Sequence, residues 1–363
     1  MPDAGQAPPF YSSRPVLTVS GNTQTLLSDR LLSLVVSETV EGLYHAEATF
    51  ANFDQTGGGM GFVYFDRSLL DFGKPFTIQM GAGEAAATVF TGRIMALEGR
   101  FPHSKPPEVL IDAEDRMQDL RMTRRTRTFE NLSDSDLFNQ IASQQGLQAN
   151  VDVSGPTYKV LAQVNQSDLA FLRERARAVD AELWVDDTRL SVVSRAKRKA
   201  NDVTLTYQQG LFEFSAMADL TNQATGFSVT GWDVSAKQAL SYKATSSALA
   251  GEVNGDLGGS SILQQALGTR DQQVVHALPF TSQEAQAQAE ASYRRWARRF
   301  VTGTGMADGD GRIQVGTNLT LQGLGPMFSG KFYVNAVRHL FDPDNGYRTW
   351  FAVERPGIGQ GNS

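Results

Sequence analysis

The sequence predicts an α+β fold that is mainly β, with two related β-domains, a small α/β module and an insertion. Three observations predict this fold class. Apolar and polar residues alternate through the first third of the chain and again near its end, which is the pattern of half-buried strands. The middle of the chain changes to a helical period. A hairpin motif near the C-terminus also has a counterpart much earlier in the sequence.

The two copies of the hairpin motif begin with similar strands, PFTIQ and NLTLQ. Each copy continues with a Phe-x-Gly-basic segment, a strand, a turn containing proline, and a last strand that ends near an acid and an arginine. The shared positions are Phe90, Gly92, Arg93, Glu114 and Arg116 in the early copy, and Phe328, Gly330, Lys331, Glu354 and Arg355 in the late copy. Gly92 precedes Glu114 by 22 positions, and Gly330 precedes Glu354 by 24.

Duplication would have a consequence for assembly. An oligomer of n copies would present 2n similar β-units, which suits a ring-shaped partner. The alternative is that any two hairpins look alike, and the sequence leaves both interpretations open.

Composition narrows the class of protein. A chain of 363 residues with 41% hydrophobic and 20% charged residues is ordinary for a soluble protein of roughly two to four domains. The net charge of −6 gives no reason to expect nucleic acid or an anionic membrane as a partner. No cysteine is present, which excludes disulfides, Cys-ligated zinc and thiol catalysis. The first residues lack the basic start and apolar run of a signal peptide, and no segment predicts a membrane span.

The first β-domain is predicted over 14–127, after a loose arm at 1–13. Tyr44, Ala46, Ala48 and Phe50 alternate onto one face, as do Phe76, Ile78 and Met80. Between these strands lies an extended loop, 51–73, rich in glycine. Its apolar residues are too many for a bare loop, so we expect them to pack on a neighbour or, alternatively, on their own domain. The residues concerned are Phe62, Tyr64, Phe65, Leu69 and Leu70.

An α/β module is predicted over 128–199. Ser133 has the character of a helix N-cap, and Leu137, Phe138 and Ile141 follow as an apolar stripe. A second helix is predicted to begin near Ser167, and a hairpin follows it. The basic segment RAKRKAND is then expected to be an exposed connector.

The second β-domain is predicted in two pieces, 200–234 and 276–356, with an insertion at 235–275 rich in Ala, Ser, Gly and Gln and a tail at 357–363. Thr281 and Glu284 form a capping box that opens a helix. Its predicted buried face carries Ala289, Tyr293, Trp296 and Phe300, and Gly303 and Gly305 are expected to end it. Four arginines are expected outside that face, Arg294, Arg295, Arg298 and Arg299, of which Arg295 and Arg299 are candidate interface residues.

The residues that could carry chemistry predict no catalytic, cofactor or metal site. His45, His103, His276 and His339 are far apart in sequence and form no metal-binding pair. The Asp308–Asp310 segment resembles a calcium loop, but Leu319 stands where a glutamate is required, so a turn is favoured. Asp112, Glu114 and Asp115 could form a glycosidase pair, although a capping role for Asp115 is favoured. The arginine clusters are interpreted as solvated faces or protein contacts, because the overall charge is acidic.

Two stretches resemble the late control D family of phage tail proteins. SDLAFLRERARAVDAELWVDDTRLSV is similar to that family's helix and hairpin beginning S-D-x-x-F-L. The C-terminal region shares the alanine-rich helix, the Gly-Asp turn, the Ser-Gly-x-Phe-Tyr-Val strand, His339 and the Gly-Tyr-x-Thr strand ending at Arg355. The resemblance covers roughly 14–356.

The resemblance implies two tube-like antiparallel β-barrel domains in each subunit of a homotrimeric baseplate hub. Three chains would then present a pseudo-sixfold ring to a hexameric inner tube protein and join a trimeric spike. The family's secretion spike proteins continue into further domains, so a separate spike protein is expected here, together with other baseplate proteins. Loop 51–73 would face a neighbouring subunit or the tube. The expected location is the tail baseplate of a virion or an injection particle.

Two alternatives remain from the sequence. One is a peptidoglycan hydrolase carried on the tail, and the other is an adaptor that binds effectors or a receptor. Neither accounts for the paired hairpin units.

Overall fold

A continuous 13-stranded sheet forms the body of the protein, and its two halves are called here the first and the second sheet. An α/β module and an inserted α/β segment pack beside it. The structure is a computed structural model that describes residues 14–54, 61–198, 200–234, 236–253, 255–275 and 278–359. The predicted arm and part of the predicted tail lie outside these residues. The mainly β, α+β class predicted from the sequence is confirmed.

The first sheet is built from the N-terminal third of the chain. Its strands are β1 (Val16–Val19), β2 (Asn22–Thr23), β3 (Leu31–Thr39), β4 (His45–Ala51), β5 (Pro75–Met80), β6 (Ala87–Arg100) and β7 (Glu108–Glu114), with short helices α1 (Thr25–Asp29) and α2 (Gln118–Arg121). Their order is β2-β1-β5-β6-β7-β4-β3, and neighbours run antiparallel. Phe50, Phe76 and Ile78 are fully buried in its core, as their alternation predicts.

The α/β module follows with its own core. Its elements are β8 (Arg124–Ser133), α3 (Asp134–Gln144), β9 (Gln148–Asp152), β10 (Thr157–Ser167), α4 (Asp168–Ala178), β11 (Ala181–Asp186) and β12 (Arg189–Ser194). Ser133 caps α3 in a reciprocal capping box with Asp136. Leu137, Phe138 and Ile141 are fully buried, so the predicted apolar stripe is confirmed.

The C-terminal half holds the second sheet and the inserted segment. Its elements are β13 (Asp202–Tyr207), β14 (Gly210–Ala218), β15 (Gly226–Asp233), β16 (Gln238–Ala244), β17 (Leu257–Gly258), α5 (Gly259–Leu267), β18 (Asp271–Val274), α6 (Ser282–Ala297), β19 (Val301–Asp308), β20 (Asn318–Gln322), α7 (Gly325–Phe328), β21 (Gly330–Asp342), β22 (Gly346–Arg355) and β23 (Gly357–Ile358). Thr281 caps α6, as expected.

The inserted segment begins earlier than the predicted 235–275. β15 pairs with β16 and β18 in a separate three-stranded sheet, and α6 covers that sheet through Ala285, Ala289 and Tyr293. This unit therefore comprises β15, β16, β18 and α6, whereas β17 pairs with β23 after the barrel and Ile262 of α5 packs on the barrel core. Gly303 and Gly305 do not end α6 but lie inside β19, where the barrel interior has no room for a side chain.

Six strands of the second sheet close into a barrel. The order is β13-β20-β21-β22-β19-β14, and β13 pairs with β14 to complete the ring. β13 runs parallel to both of its neighbours, so the barrel is not antiparallel throughout as predicted. Among the described residues the first sheet does not close on itself, because its last strand, β3, pairs with β21 of the barrel instead of with β1.

The two sheets have the same strand order. β5-β6-β7-β4-β3 of the first corresponds in order and direction to β20-β21-β22-β19-β14 of the second. β1 and β13 take the same place in the order, but β1 runs antiparallel to β5 and β13 runs parallel to β20. A bulge interrupts β6 between Ile94 and Ala96, and an equivalent bulge interrupts β21 between Val334 and Ala336. A second bulge recurs after Leu31 in β3 and Leu211 in β14. Five strands of the same order and direction and two bulges in common favour duplication over a chance likeness of hairpins.

The register of the duplication differs by two residues from the register that the sequence motif predicts. Thr77 and Thr320 are equivalent, as predicted, but Gly92 is equivalent to Phe332 and not to Gly330. In this register the distances to Glu114 and Glu354 are both 22 positions. The two extra residues of the late copy lie at the start of β21, just after α7 and before the part of β21 that is equivalent to β6.

β21 joins the two sheets. Its first residues pair with β20 of the barrel, and its second half pairs with β3 of the first sheet, from Ala336 opposite Thr39 to Phe341 opposite Leu34. Phe341 and Tyr347 consequently lie in the core of the first sheet. The two related units therefore stand side by side and share one strand.

Candidate assembly surfaces

One edge of β14 is unpaired over most of its length. From Glu213 to Ala218 its partner among the described residues is β19 alone, because β13 contacts only its first two residues. Met217 is 60% exposed on this strand and Phe212 is 45% exposed. Strand edges with large apolar side chains are ready to pair with another chain.

The end of β6 is a second free edge. From Ala96 to Arg100 this strand pairs with β7, whereas β5 has already separated from it at Arg93. Edge residues Glu98, Gly99 and Arg100 are exposed. The equivalent part of β21 is paired on both sides, with β22 and with β3.

Three phenylalanines form an exposed aromatic cluster beside the end of β6. The ring centroids of Phe62 and Phe65 are 5.1 Å apart, and those of Phe62 and Phe101 are 6.0 Å apart. Phe101 is 65% exposed and Phe62 is 57% exposed. Aromatic groups in such contact are typical anchors of protein interfaces.

Loop 51–73 packs mainly on its own sheet over the part that the structure describes, which omits 55–60. Tyr64 and Leu70 are buried in the first core, and Leu69 is partly buried against it. The Asn52 side chain accepts hydrogen bonds from the backbone of Val63 and Tyr64 at 2.9 and 2.8 Å. Tyr64 and Leu70 therefore offer no surface to a partner. An interface role for the loop stays a prediction that depends on the exposed Phe62 and on Phe65 and Leu69, which are both half-buried.

The two candidate arginines at the end of α6 and just after it are both exposed. Arg295 donates from Nη2 to the carbonyl oxygen of Arg177, 2.8 Å away, which connects α6 to α4 of the module. Arg299 lies just after the helix end. Whether either contacts another protein stays a prediction.

Arg298 was predicted outside the buried face, but it is buried. Its guanidinium donates to both oxygens of Asp180, at 2.6 and 2.8 Å, and to both oxygens of Glu252, at 2.6 and 2.7 Å. Trp296, predicted to be buried, is 42% exposed instead. The helical period predicts the other members of that buried face correctly. It cannot show that Arg298 will pair with two carboxylates that belong to other parts of the fold.

Arg195 and Arg198 of the connector after the module are largely buried, whereas Ala196, Lys197 and Asn201 are exposed as predicted. Arg198 donates to Glu182 at 3.0 Å and to the Tyr44 hydroxyl at 2.9 Å. Arg195 donates to Glu182 and Glu354. This cluster ties the module to both sheets, because Tyr44 borders the first sheet and Glu354 lies in β22. Nothing in the local sequence indicates carboxylates so far away in the chain.

Burial shifts several pKa values in these regions. The pKa of the Glu38 carboxyl rises from 4.5 to about 7, mainly because it is fully buried, although the Val315 N–H donates to it at 3.1 Å. Burial also raises the pKa of Asp115 to about 7. The pKa of the His339 imidazole falls to about 3 for the same reason. At the pH at which each group ordinarily titrates, its buried side chain is therefore uncharged. It serves the fold as a packing element or as a turn cap.

Three of the carboxylates considered for chemistry are engaged within the fold, whereas His103 is exposed. Asp115 accepts from the backbone of Tyr44 and Met117 at 2.8 Å each, so it caps this turn as expected. Glu114 pairs with Arg121, and Asp310 pairs with Arg312 within the predicted turn. Within the described ranges, no group of three His, Asp or Glu side chains could hold a metal ion. His276 lies outside those ranges.

An open cleft of about 530 Å³ lies where the first sheet, the module and the barrel meet. Its lining includes Trp184, over which the Arg198 guanidinium stacks at 4.1 Å. Arg198 is paired with Glu182, whereas Asp186, Asp187 and Arg189 of the same lining are exposed to solvent. No helix among the described residues is both long and apolar enough to cross a membrane.

Comparisons with known proteins agree with this architecture. The 43 kDa tail protein of prophage MuSo2 from Shewanella oneidensis has a TM-score of 0.69 at 12% identity, over 94% of this chain and 98% of that one. A tail protein from Neisseria meningitidis MC58 has a TM-score of 0.69 at 13% identity, over 95% and 97% of the two chains. The chain therefore has the fold of phage tail proteins.

A third structure extends the likeness to secretion systems. The E. coli c3393 protein, a component of the type VI secretion system, has a TM-score of 0.60 at 12% identity over 96% of this chain and 79% of that one. The family model for the Alg8 N-terminal domain matches residues 16–342. No curated protein sequence matches the chain significantly.

Proposed function

This chain belongs to the Alg8 N-terminal domain family, and from that premise and its tail-protein fold we propose that it is a structural hub protein. It would stand in the baseplate of a contractile phage tail or of a related injection particle. Its role is assembly and involves no chemical step.

One observation carries the proposal. The chain holds two sheets of the same strand order side by side, joined through β21. A homotrimer would present six similar units, so that a threefold assembly could mate with a ring of six subunits. The partners of such a hub are the hexameric inner tube protein on one side, a trimeric spike on the other, and further baseplate proteins around it.

Exposed apolar groups support an assembly role. The aromatic cluster and the free edges of β6 and β14 leave large side chains in water that a partner would cover. Obligate interfaces of this kind commonly bury more than about 2,000 Å².

The oligomer mass tests the proposal. We expect light scattering of the purified chain to give three times the 39.6 kDa of one copy, and negative-stain images to show a ring with six lobes. Association can require the tube protein, so the same measurement is made with that protein present. A chain that stays monomeric in both samples would contradict the proposal.

A further inference from the structure

We propose that the free edge of β14 in one copy pairs with the free end of β6 in a second copy as antiparallel strands. This inference rests on the proposed function, because it identifies the contact by which subunits of the ring meet. The partner is a second copy of this chain, and the two edges belong to different units of each copy.

The pairing has a template inside the chain. β3 of the first sheet and the second half of β21 pair as antiparallel strands, from Thr39 opposite Ala336 to Leu34 opposite Phe341. This contact joins the first unit to the second unit of the same copy. A ring needs the reverse contact as well, which joins the second unit of one copy to the first unit of the next.

The duplication identifies the strands of that reverse contact. β14 is equivalent to β3, and β6 is equivalent to β21, in the register set by the shared bulges. Transferring the template gives the partners across the interface. Asp219 would lie opposite Ala96, Met217 opposite Glu98, and Phe214 opposite Phe101.

Backbone pairing supports the transfer. Both template strands have partners on two sides, whereas β14 beyond Leu211 and β6 beyond Ile94 each lack a strand on one side among the described residues. The free side is the same in each equivalent pair of strands. β19 occupies the other side of β14 as β4 does for β3, and β7 occupies the other side of β6 as β22 does for β21. Two unpaired edges of matching length are therefore available.

Burial also supports the transfer. Phe341 is 3% exposed because β21 carries it into the core of the neighbouring sheet, and its equivalent Phe101 is 65% exposed. On the other strand Leu34 is fully buried, and its equivalent Phe214 is only half-buried. Pairing would bring Phe101 to Phe214 of the next copy, where the barrel core begins.

Engineered disulfides test the pairing, since the natural chain has no cysteine. Directly opposed residues in antiparallel strands have Cα atoms about 4.5–5.5 Å apart, within disulfide reach. We expect the double variant E98C/M217C to form covalent oligomers under mild oxidation, read on a non-reducing denaturing gel. Both positions are exposed, so each substitution leaves the fold intact.

The matched control is E98C/E213C. Glu213 lies on the same exposed face of β14 but four residues away, which is about 13 Å along a strand, so this pair should remain uncross-linked. Single-cysteine variants measure linkage by random collision.

The outcomes separate this pairing from the hub itself. If the unmodified chain forms a ring but E98C/M217C gives no more covalent oligomer than the control, the pairing is wrong and the ring stands. If the chain is monomeric by light scattering and the pair also fails to link, both are wrong.

Discussion

At the scale of single residues, Arg298 connects three parts of the molecule through two carboxylates. The side chain leaves the C-terminal end of α6, reaches Asp180 after the last helix of the module, and meets Glu252 in the inserted segment. Burial alone would lower the pKa of the guanidinium, but the two carboxylates raise it above its ordinary value. The arginine is therefore charged at every pH at which the protein folds.

Replacing Arg298 by methionine should destabilise the protein by about 3 kcal/mol. The methionine fills the space, but Asp180 and Glu252 lose the charge that offsets their burial. Chemical denaturation measures the loss. The exposed neighbour Arg299 serves as the control, since R299M should change stability by no more than about 0.5 kcal/mol. Equal effects of the two variants would contradict the assignment.

Glu38 predicts a dependence of stability on pH. Its folded-state pKa of about 7 lies above the ordinary 4.5, so the unfolded chain loses this proton at lower pH than the folded chain does. The contribution of Glu38 to stability is therefore complete below about pH 4.5 and is lost as the pH rises to about 7.

The variant E38Q should keep more of its stability between pH 5 and 7 than the natural chain, because the amide does not titrate and can still accept from Val315. Thermal unfolding at several pH values measures the difference. E47Q, on an exposed position of β4, should retain the natural dependence. The same slope in E38Q and the natural chain would argue against a buried neutral carboxyl.

At the scale of single elements, β19 of the barrel and β4 of the first sheet use small residues at the same positions. Gly303 and Gly305 of β19 are equivalent to Ala46 and Ala48 of β4, all of them buried. A Cβ on Gly305 would lie 2.6 Å from the Phe351 ring and 2.9 Å from the Glu213 carbonyl oxygen. The interior of the barrel is therefore filled by neighbouring aromatic rings.

The variant G305A should cost about 1–3 kcal/mol, because the added methyl group overpacks the barrel. T304A, which alters the exposed residue beside it, should cost much less. Urea unfolding of the two variants provides the comparison. A G305A protein as stable as T304A would show that the ring of Phe351 can move aside.

Local elements could be predicted from the sequence, and long-range pairings could not. The alternation in β4 and β5 and the caps of α3 and α6 depend on neighbouring residues, so they were predictable. The assignment of β15 to the inserted sheet depends on β18, far along the chain. The two-residue offset of the duplicated motif likewise became visible only from the pairing of β21 with β22.

At the scale of the whole molecule, the same limit applies to the assembly surfaces. The apolar character of loop 51–73 pointed to the region of the aromatic cluster, but Tyr64 and Leu70 of its five candidates are buried, and only Phe62 is fully exposed. The edges of β6 and β14 had no signal in the sequence. A strand is an edge only because of what fails to pair with it, and that depends on the complete topology.

The strand shared by the two sheets also has a mechanical consequence. β21 is hydrogen bonded to both units, so the rotation from one unit to the next is set within a single polypeptide. In the proposed ring, the angle between the two units of one copy would therefore be the same in every subunit. A force applied to one unit would pass to the other unit of the same copy along the continuous backbone of β21.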